Sequence, residues 1–520
     1  MYSHEDSSTR QYVRKLLRSS QFSFITKLVK KFPKAEMYLV GGALRDIIIG
    51  RNTKDYDFVV RNVSLKDLEK YLSRLGSVNF VGRTFGVLKF SPAVKKGVKK
   101  VTSEPFDIAL PRKEYSIGNS GHYRDFKVTS DHRLSIRHDL SRRDFTINAI
   151  AYDLRKYRIV DPWNGVEDIH AKIIRTVGAP AERFQEDYSR MLRAIRFSCQ
   201  LGFTIEDRTV RAIHAGIKHL NKSMKATEAL GSKSDANSIR VVPFEIVARE
   251  IIRAFSAHCV KAFDLCDTFG VITQLIPELL TMKKCPQPNE WHSEGDVWTH
   301  TRLALTYLLS KEFYHEFHTK TLESTLILAV LFHDIGKPYA LRTPEKHGVD
   351  RVRFDGHDRI GGEMTKKILE RLRVSSVSGT HIHPDEVAWL IHYHLLLLNS
   401  DVSAMKHNTI EKYFFKNQSL GMMLRKLIFV DSLASVRADG GSTLGNYRAL
   451  GERLKQFGSS QVKRLPKPLI TGDDVMGILG IKPGKDVGVY LEQVREEQLS
   501  KRINTKKGAF LFLKKVARKK

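Results

Sequence analysis

Short apolar runs separated by polar turns dominate the first third of the chain, and apolar residues at helical spacing dominate the rest. Between residues 36 and about 178, runs such as MYLV and DYDFVV predict strands, and the stretch LKDLEKYLSRLG predicts a helix. Residues 11–32 have the spacing of a basic amphipathic helix. After Pro180 strand signals become few and helical periodicity takes over. The pattern predicts an α+β or α/β head followed by helical segments.

These changes of pattern divide the chain into predicted segments. They are a basic helical extension at 1–35, a head at 36–178, a helical neck at 179–290, a helical domain rich in histidine at 291–440 and a helical tail at 441–520. The polar, small-residue-rich stretch 222–239 predicts a mobile loop inside the neck.

Composition adds a strong basic bias to this picture. The 520 residues include 87 lysines and arginines against 57 acidic residues, which gives a net charge of +30. Such an excess favours a polyanionic partner such as nucleic acid, with simple solubility as the alternative. No apolar stretch reaches the roughly 18–20 residues of a membrane helix, so no membrane partner is expected. The four cysteines form no CxxC pair, which indicates reduced thiols and a cytoplasmic protein.

The stretch YLVGGALRDIIIGRNTKDYDFVV, at 38–60, combines a glycine turn with two closely spaced aspartates. Asp55 and Asp57 are two residues apart, so on a strand both carboxylates point to the same side. Like charges so close repel unless a cation lies between them, and hard oxygen ligands suit Mg²⁺. Asp107, in the predicted strand EPFDIAL, supplies a third carboxylate. We predict catalysis by two Mg²⁺ ions here; the alternative is a pair of solvated aspartates on an edge strand.

The glycine turn itself suits a nucleotide. Gly41 and Gly42 let the backbone come close to a ligand, and the helix after them offers free N–H groups to a triphosphate. Arg45 lies one turn into that helix and adds a positive charge. A triphosphate site is therefore predicted beside the aspartates.

Three further motifs follow in order: RRDFTINAIAYD at 142–153, DPWNGVEDI at 161–169 and EDYSRMLRAIRF at 186–197. Together with the glycine–aspartate stretch they resemble class II tRNA nucleotidyltransferases and bacterial poly(A) polymerases, whose head is of the polymerase β type. The resemblance covers nearly all of residues 36–200 and implies Mg²⁺ at Asp55 and Asp57. It implies nucleotide contacts at Gly42 and Arg45 for the triphosphate, Arg143 and Asp144 for phosphate and ribose, and Arg193 and Arg196 along the site.

Asp187 and Arg190 lie three residues apart, which predicts that they share one helix face. One side chain offers hydrogen-bond acceptors and the other offers donors, so together they match the Watson–Crick edge of a base. An ordinary surface salt bridge is the alternative. In the family that the motifs resemble, this pair selects C and A without a template strand.

A second group of candidate ligands lies among the later helices. Histidines and aspartates recur in WHSEGDVWTHT, LAVLFHDIGK, FDGHDRIGG, IHYH and VDSLASVRADG. Imidazole with carboxylate suits a divalent transition metal, and hydrogen-bonded histidines in a helical bundle are the alternative. The segment resembles HD phosphohydrolase domains, which implies a second metal or a phosphate at His357 and His392. The direct metal ligands implied by that resemblance are His300, His333, Asp334 and Asp431.

The sequence as a whole predicts an enzyme that adds C and A to tRNA 3′ ends from CTP and ATP with Mg²⁺. Basic neck and tail surfaces are expected to hold the tRNA through its phosphates. The histidine site is expected to bind a divalent metal of unspecified identity and to hydrolyse phosphoesters. The rival interpretations are a poly(A) polymerase, an enzyme that adds only CC or only A, and an RNA-binding phosphohydrolase.

Overall fold

The computed structural model describes residues 3–80, 86–93, 105–116, 126–224, 239–319, 321–398, 401–441, 443–460 and 466–517. The chain divides into two compact units, Met1–Leu275 and Ile276–Lys520. The boundary between the units lies inside the predicted neck, 179–290. Most of the predicted loop 222–239 lies outside the described residues.

The described strands belong to the first unit. They are β1 (Glu36–Val40), β2 (Asp57–Arg61), β3 (Gly76–Phe80), β4 (Val87–Pro92), β5 (Phe106–Ala109), β6 (Arg112–Ser116), β7 (Phe126–Ser130), β8 (Ala151–Asp153), β9 (Arg158–Val160), β10 (Ile173–Ile174), β11 (Thr204–Ile205), β12 (Ser223–Met224) and β13 (Ile239–Arg240). Within the described residues, seven of them form a mixed sheet in the order β3-β4-β5-β2-β1-β8-β9. Its pairs are antiparallel except β2 and β5, which run parallel. This sheet confirms the predicted α+β head.

Helices flank the sheet and continue into the neck. They are α1 (Ser3–Arg18), α2 (Ser23–Lys31), α3 (Gly42–Ile49), α4 (Leu65–Leu72), α5 (Ile136–Ser141), α6 (Gly165–His170), α7 (Pro180–Glu186), α8 (Ser189–Leu201), α9 (Asp207–Gly216), α10 (Phe244–Ala257), α11 (Cys259–Thr268) and α12 (Val271–Leu275). Val247, Ile251 and Phe255 recur four residues apart on α10 and are buried. This apolar stripe packs α10 against α8, which carries the last nucleotide motif.

The N-terminal extension contains two helices, so the single helix predicted at 11–32 is wrong. A 3₁₀ turn, Ser20–Phe22, separates α1 from α2. Phe24 on α2 then packs against Phe58 of β2 and Phe106 of β5. The extension therefore contributes to the core of the head.

Phe24 provides a direct test of this packing. It is 2% exposed, and its ring centroid lies 4.9 Å from that of Phe90 and 5.3 Å from that of Phe106. We expect Phe24→Ala to lower the free energy of unfolding of the first unit by about 3–5 kcal/mol, because a buried ring is replaced by a cavity. Urea denaturation followed by hydrogen exchange in β2 and β5 measures the loss. Lys30→Ala, exposed on the same helix, should change stability by less than about 0.5 kcal/mol, and equal losses would contradict the packing.

The second unit is helical in its described part. Its helices are α13 (Val297–Tyr307), α14 (Lys311–Phe317), α15 (Ser324–Phe332), α16 (Lys337–Ala340), α17 (Pro344–His347), α18 (His357–Arg371), α19 (Pro384–Tyr393), α20 (His407–Ile410), α21 (Gln418–Ala434), α22 (Gly445–Ser460), α23 (Gly472–Leu479), α24 (Lys485–Leu499) and α25 (Lys506–Ala517). Helix α15 is apolar all round and buried from Thr325 to Phe332, as expected of a central helix. A Cβ at Gly336 would lie 2.1 Å from the backbone oxygen of His357. Glycine at this position lets the start of α18 approach the chain just after α15.

Within the range predicted as a helical tail, α23, α24 and α25 share a small core of their own. Val475, Tyr490 and Leu513 lie in this core, one from each helix. Thr471 and Asp474 form a reciprocal capping box that fixes the start of α23. In the described part of the chain, no helix is both long and apolar enough to cross a membrane.

Candidate functional site

The glycine turn links β1 to α3 at the predicted nucleotide site. Gly41 has a φ of +74°, which a side chain rarely adopts, and α3 begins at Gly42. A Cβ at Gly41 would lie 3.0 Å from Arg143 Nη1 and 3.4 Å from Asp57 Oδ2. Glycine is therefore required here both by the backbone conformation and by the closeness of two predicted site residues.

The predicted carboxylates come together at one edge of the turn. Asp57 opens β2 and lies directly beside Asp107 of the parallel strand β5. Asp55 precedes β2 and is exposed, so the prediction that both aspartates lie on one strand is wrong. The β1–β2 ladder ends where Val40 pairs with Asp57, because the chain turns away at Gly41. Asp55 still lies close enough for its charge to affect Asp57 and Asp107.

These carboxylates carry excess negative charge. Burial, together with Asp55 and Asp107, raises the pKa of Asp57 to about 6 against the opposing charge of Arg143. Burial also raises the pKa of Asp107, where Asp55 adds to the effect and Lys89 opposes it. Asp107 Oδ1 is buried and makes no hydrogen bond within the described chain. Such a cluster of acceptors is what a divalent cation stabilises, so the residues fit the expected metal.

The raised pKa of Asp57 predicts a pH dependence of metal binding. Without metal, Asp57 is protonated below a pH of about 6, so protons compete with a cation there. We expect the Mg²⁺ affinity of the head to rise as pH increases through about 6 and then to level off. Stability changes in the opposite sense: because the pKa in the folded protein exceeds the ordinary value of 3.8, the metal-free first unit gains stability as pH falls between these values. Calorimetric Mg²⁺ titrations across this range test the prediction, and a pH-independent affinity would contradict it.

A buried polar network joins the RRD motif to α3 and α8. Asp144 accepts hydrogen bonds from Arg193 Nε at 2.8 Å and from Asn148 Nδ2 at 3.1 Å. Burial alone would raise the pKa of Asp144, but Arg193 and Asn148 hold it well below its ordinary value. Arg45 is buried and donates to Asn148 Oδ1 at 2.7 Å. The network thus brings together three of the predicted nucleotide-binding side chains.

Arg196 lies in the interior behind this network. It is 8% exposed, and its Nε donates to Glu250 Oε2 at 2.6 Å. Arg193 Nη1 lies 4.0 Å from the same carboxylate. Glu250, on α10, did not emerge from the motifs. The sequence does contain one indication of its role: Glu250 is an acidic residue within the apolar stripe of a helix. A charge that is buried there requires a partner.

The predicted base-selecting pair does not share a helix. Asp187 lies between α7 and α8, whereas Arg190 is in the first turn of α8, so the prediction of one helix face is wrong. The side chain of Asp187 caps the turn by accepting from the N–H of Ser189 at 2.9 Å. The guanidinium of Arg190 contacts Glu186, which the sequence reasoning missed although a spacing of four residues suggests such a pair. The turn nevertheless keeps the two residues adjacent, since Arg190 N–H donates to Asp187 O at 3.0 Å.

The four predicted metal ligands of the second unit converge in its interior. His300 Nε2 lies 3.0 Å from Asp431 Oδ1 and 3.2 Å from His333 Nε2. Asp334 Oδ2 lies 3.3 Å from His333 Nε2 and 3.7 Å from His300 Nε2. His300, His333 and Asp334 are at most 1% exposed. The ligands come from three places in the bundle: His300 from α13, His333 and Asp334 from the turn directly after α15, and Asp431 from α21.

Hydrogen bonds orient these imidazoles as ligands. His333 Nδ1 lies 2.8 Å from the carbonyl of Val330, and His300 Nδ1 lies 2.8 Å from Glu294 Oε1. An Nδ1–H donated to these acceptors leaves both Nε2 atoms as acceptors facing Asp431. Burial would lower the pKa of His333, but Asp334 and Asp431 raise it to about 10. A cluster of acceptors that attracts protons this strongly fits a divalent cation.

The clustered ligands form two triads: His300, His333 and Asp431 make up the first, and Asp334, His357 and His394 make up the second. The second triad corrects the prediction for His392. Asp334 Oδ1 lies 3.4 Å from His357 Nε2 and 3.7 Å from His394 Nε2. His357 Nε2 is buried without a hydrogen bond in the described chain. His392, predicted beside His357, is 40% exposed and lies near Asp358 instead. Residues two apart on a helix face nearly opposite directions, so only one histidine of IHYH can point inward, and it is His394.

A cavity of about 970 Å³ gives this cluster access from outside. Its walls include Asp334, His357, His394 and Asp431, together with the cation of Lys337. Lys337 Nζ lies 2.7 Å from Asp334 Oδ2. An anionic substrate therefore meets histidines, a lysine and candidate metal ligands in one cavity.

Two family models match the chain. The first, the poly A polymerase head domain, matches residues 37–175, which contain the glycine turn and the three aspartates. The second, the HD domain, matches residues 298–419, which contain His300, His333 and Asp334.

One relative decides the family. The multifunctional CCA protein of Xylella fastidiosa (strain 9a5c) is 31% identical over 345 residues, which cover 65% of this chain and 70% of the relative. This chain belongs to the tRNA nucleotidyltransferase family. A CC-adding tRNA nucleotidyltransferase of Thermus thermophilus is 28% identical over 491 residues, covering 92% of this chain and 93% of that protein.

The fold of this tRNA nucleotidyltransferase agrees with a solved structure. The CCA-adding enzyme of Bacillus stearothermophilus in complex with CTP superposes with a TM-score of 0.58, covering 95% of this chain and 96% of that chain at 19% identity. The motif-based resemblance and the predicted fold class are therefore confirmed, and the chain is an enzyme of the nucleotidyltransferase class.

Proposed function

We propose that this tRNA nucleotidyltransferase adds C and A nucleotides to the 3′ end of tRNA, with CTP and ATP as donors. The observation that supports this most directly is the group of carboxylates beside the glycine turn: Asp57 in register with Asp107, Asp55 nearby, and Arg143 close to Gly41. Such a group suits the binding of a metal–triphosphate complex. The names of the two relatives given above, multifunctional CCA protein and CC-adding enzyme, point to the same RNA end.

In the proposed reaction the terminal ribose hydroxyl of the RNA attacks the α-phosphate of the nucleotide, and pyrophosphate leaves. Asp55 and Asp57 hold Mg²⁺, which when bound would promote attack by the hydroxyl and stabilise the leaving pyrophosphate. The N–H groups at the start of α3 bind the triphosphate, and Arg143 neutralises its charge. Asp144, oriented by Arg193, holds the ribose. Alignment and preorganised charge supply most of the rate enhancement.

We assign base selection to Asp187 and Arg190. Arg190 is already oriented by Glu186 and by the carbonyl of Arg183 at 3.1 Å, so its donors are positioned before a base arrives. Arg190→Ala is expected to reduce the preference for CTP over UTP about 10–100-fold, because one bidentate base contact contributes about 1–3 kcal/mol. Competition kinetics with both nucleotides measures the ratio. Arg208→Ala, exposed on α9, should leave the ratio unchanged, and an unaltered ratio in Arg190→Ala would contradict the assignment.

The product of the reaction tests the proposed function. Incubation with tRNA that lacks its last three nucleotides, with CTP, ATP or both, should yield ends that read CCA. Sequencing the products also separates the rivals, since CC ends, A ends and long A tails each correspond to a different enzyme. Long A tails would replace the proposal by a poly(A) polymerase.

A second activity, phosphoester hydrolysis, is supported by the second unit. The cavity beside Asp334 and His333 combines candidate metal ligands with Lys337, a set suited to a phosphate. We propose phosphomonoesters or 2′,3′-cyclic phosphates at RNA ends as substrates, with a divalent transition metal in the cluster.

We place the enzyme in the cytoplasm, with tRNA held on basic surfaces of the neck and tail. The net charge of +30 supports a phosphate-dominated contact. Binding should therefore weaken steeply with added salt.

A further inference from the structure

Glu294 is a buried carboxylate of the second unit, within the stretch WHSEGDVWTHT but not among the predicted ligands. Its side chain is 5% exposed. It lies 2.8 Å from His300 Nδ1 and 2.8 Å from His292 Nδ1, and it accepts from the N–H of Val436 at 3.0 Å. One carboxylate therefore holds three separate donors.

His300 differs from the other imidazoles of the cluster in the group that its Nδ1 contacts. His333, His357 and His394 each place Nδ1 against the backbone carbonyl three residues earlier, those of Val330, Phe354 and Ile391. A carbonyl fixes the tautomer of an imidazole but brings no charge. The carboxylate of Glu294 does both, because it also draws the Nδ1 proton and so makes Nε2 a stronger donor to a metal.

Glu294 also connects two of the elements that supply candidate ligands. Through His300 it contacts α13, and through Val436 it contacts the chain just after α21, which carries Asp431. The backbone supports this connection, since the N–H of Ser293 donates to the carbonyl of Val436 at 2.8 Å. The segment after α21 therefore holds Glu294 in place, and Glu294 in turn orients His300.

We propose that Glu294 is a positioning residue that raises the affinity of the His300–His333–Asp431 cluster for a divalent cation. The inference rests on the metal site included in the proposed second activity. It assigns Glu294 no contact with the cation, only an effect transmitted through His300.

Metal binding itself tests the proposal. Equilibrium dialysis of the full chain with Ni²⁺ or Mn²⁺ alone, read by elemental analysis, gives affinity and stoichiometry without any substrate. Glu294→Gln keeps the shape and removes the charge, and it is expected to weaken binding about 10–100-fold at unchanged stoichiometry. His292→Ala is the matched control: it removes the other imidazole on Glu294, leaves the contact with His300, and should retain the wild-type affinity.

A double-mutant comparison separates positioning from general damage. In a His300→Ala background, Glu294→Gln should have no further effect on the remaining affinity. A further loss there would show a structural role and overturn the proposal, as would a wild-type affinity in Glu294→Gln. Glu294→Asp, which keeps the charge on a shorter chain, repeats the comparison if Glu294→Gln does not fold. A wild-type chain that binds no metal would overturn the metal site itself, whereas binding that ignores Glu294 would overturn only this inference.

Discussion

Asp57→Asn is expected to reduce the incorporation of labelled CTP and ATP into tRNA by at least about 10³-fold. Asp57 is the carboxylate on which the geometry of the head converges: it opens β2, lies beside Asp107, and has Oδ2 3.4 Å from a Cβ placed on Gly41. A metal held there contributes several kcal/mol of charge stabilisation in the transition state. Each 1.36 kcal/mol corresponds to about a factor of ten in rate, so the loss should span several orders of magnitude.

Stability should change in the opposite direction to activity. Asp57 has a pKa raised to about 6 by burial and by two neighbouring carboxylates. A neutral amide of the same size removes that repulsion, so the metal-free variant should unfold at a slightly higher temperature than wild type near neutral pH. Glu167→Ala, an exposed carboxylate on α6, is the control and should change neither quantity. If Asp55→Ala/Asp57→Ala retained incorporation, the head would not be the catalyst.

The candidate residues of the head lie in short local motifs, so the sequence alone could place most of them near the ends of particular strands and helices. The glycine turn, Asp57 and the RRD motif sit at the ends of strands or helices that their own apolar patterns define. Topology then places β5 beside β2, which brings Asp107 into register. The pattern of apolar residues was enough to predict β1, β2 and β5, although not to locate the end of a hydrogen-bonded ladder. That is why Asp55 was assigned to β2 and lies outside it.

The wrong predictions concern positions at which several local structures are possible and tertiary contacts determine which one forms. Spacing by three suggested a helix through Asp187, but Asp187 terminates α7 in an extended conformation and caps the turn before α8. Likewise, the motif IHYH contains two histidines, and the sequence alone does not show which of them faces the metal ligands. Only the packing of α19 shows that His394 is buried while His392 is partly exposed.

The acidic partners of two site residues left almost no signal in the sequence. Glu250 contacts Arg196 from 54 residues away along the chain, whereas Glu294 lies only six residues before His300, in the turn ahead of α13. Each is a single acid whose role depends on which helix packs against it. A general rule, that a buried charge must be paired, identifies such residues only once burial is known.

Asp334→Asn is expected to abolish retention of a divalent metal by the second unit. Asp334 lies within 3.7 Å of the Nε2 atoms of His300, His333, His357 and His394, so both candidate triads meet at its two oxygens. Loss of its charge removes the anionic centre that both triads share. Elemental analysis after dialysis should find metal bound to wild type and none bound to the variant.

His392→Ala is the matched control, because His392 lines the same cavity but lies outside both triads. The His392→Ala variant should retain its metal. Loss of metal from this variant would show that His392 is a ligand after all, contrary to its position in the structure.

Phosphate release from phosphomonoesters and 2′,3′-cyclic phosphates, with added Ni²⁺ or Mn²⁺, tests the chemistry separately from metal binding. His333→Ala/Asp334→Ala should release none, and equal release by wild type and this variant would dismiss the hydrolase role. Metal binding without any hydrolysis by wild type would leave the cluster as a structural metal site, since holding an ion and activating water make different demands on the same ligands.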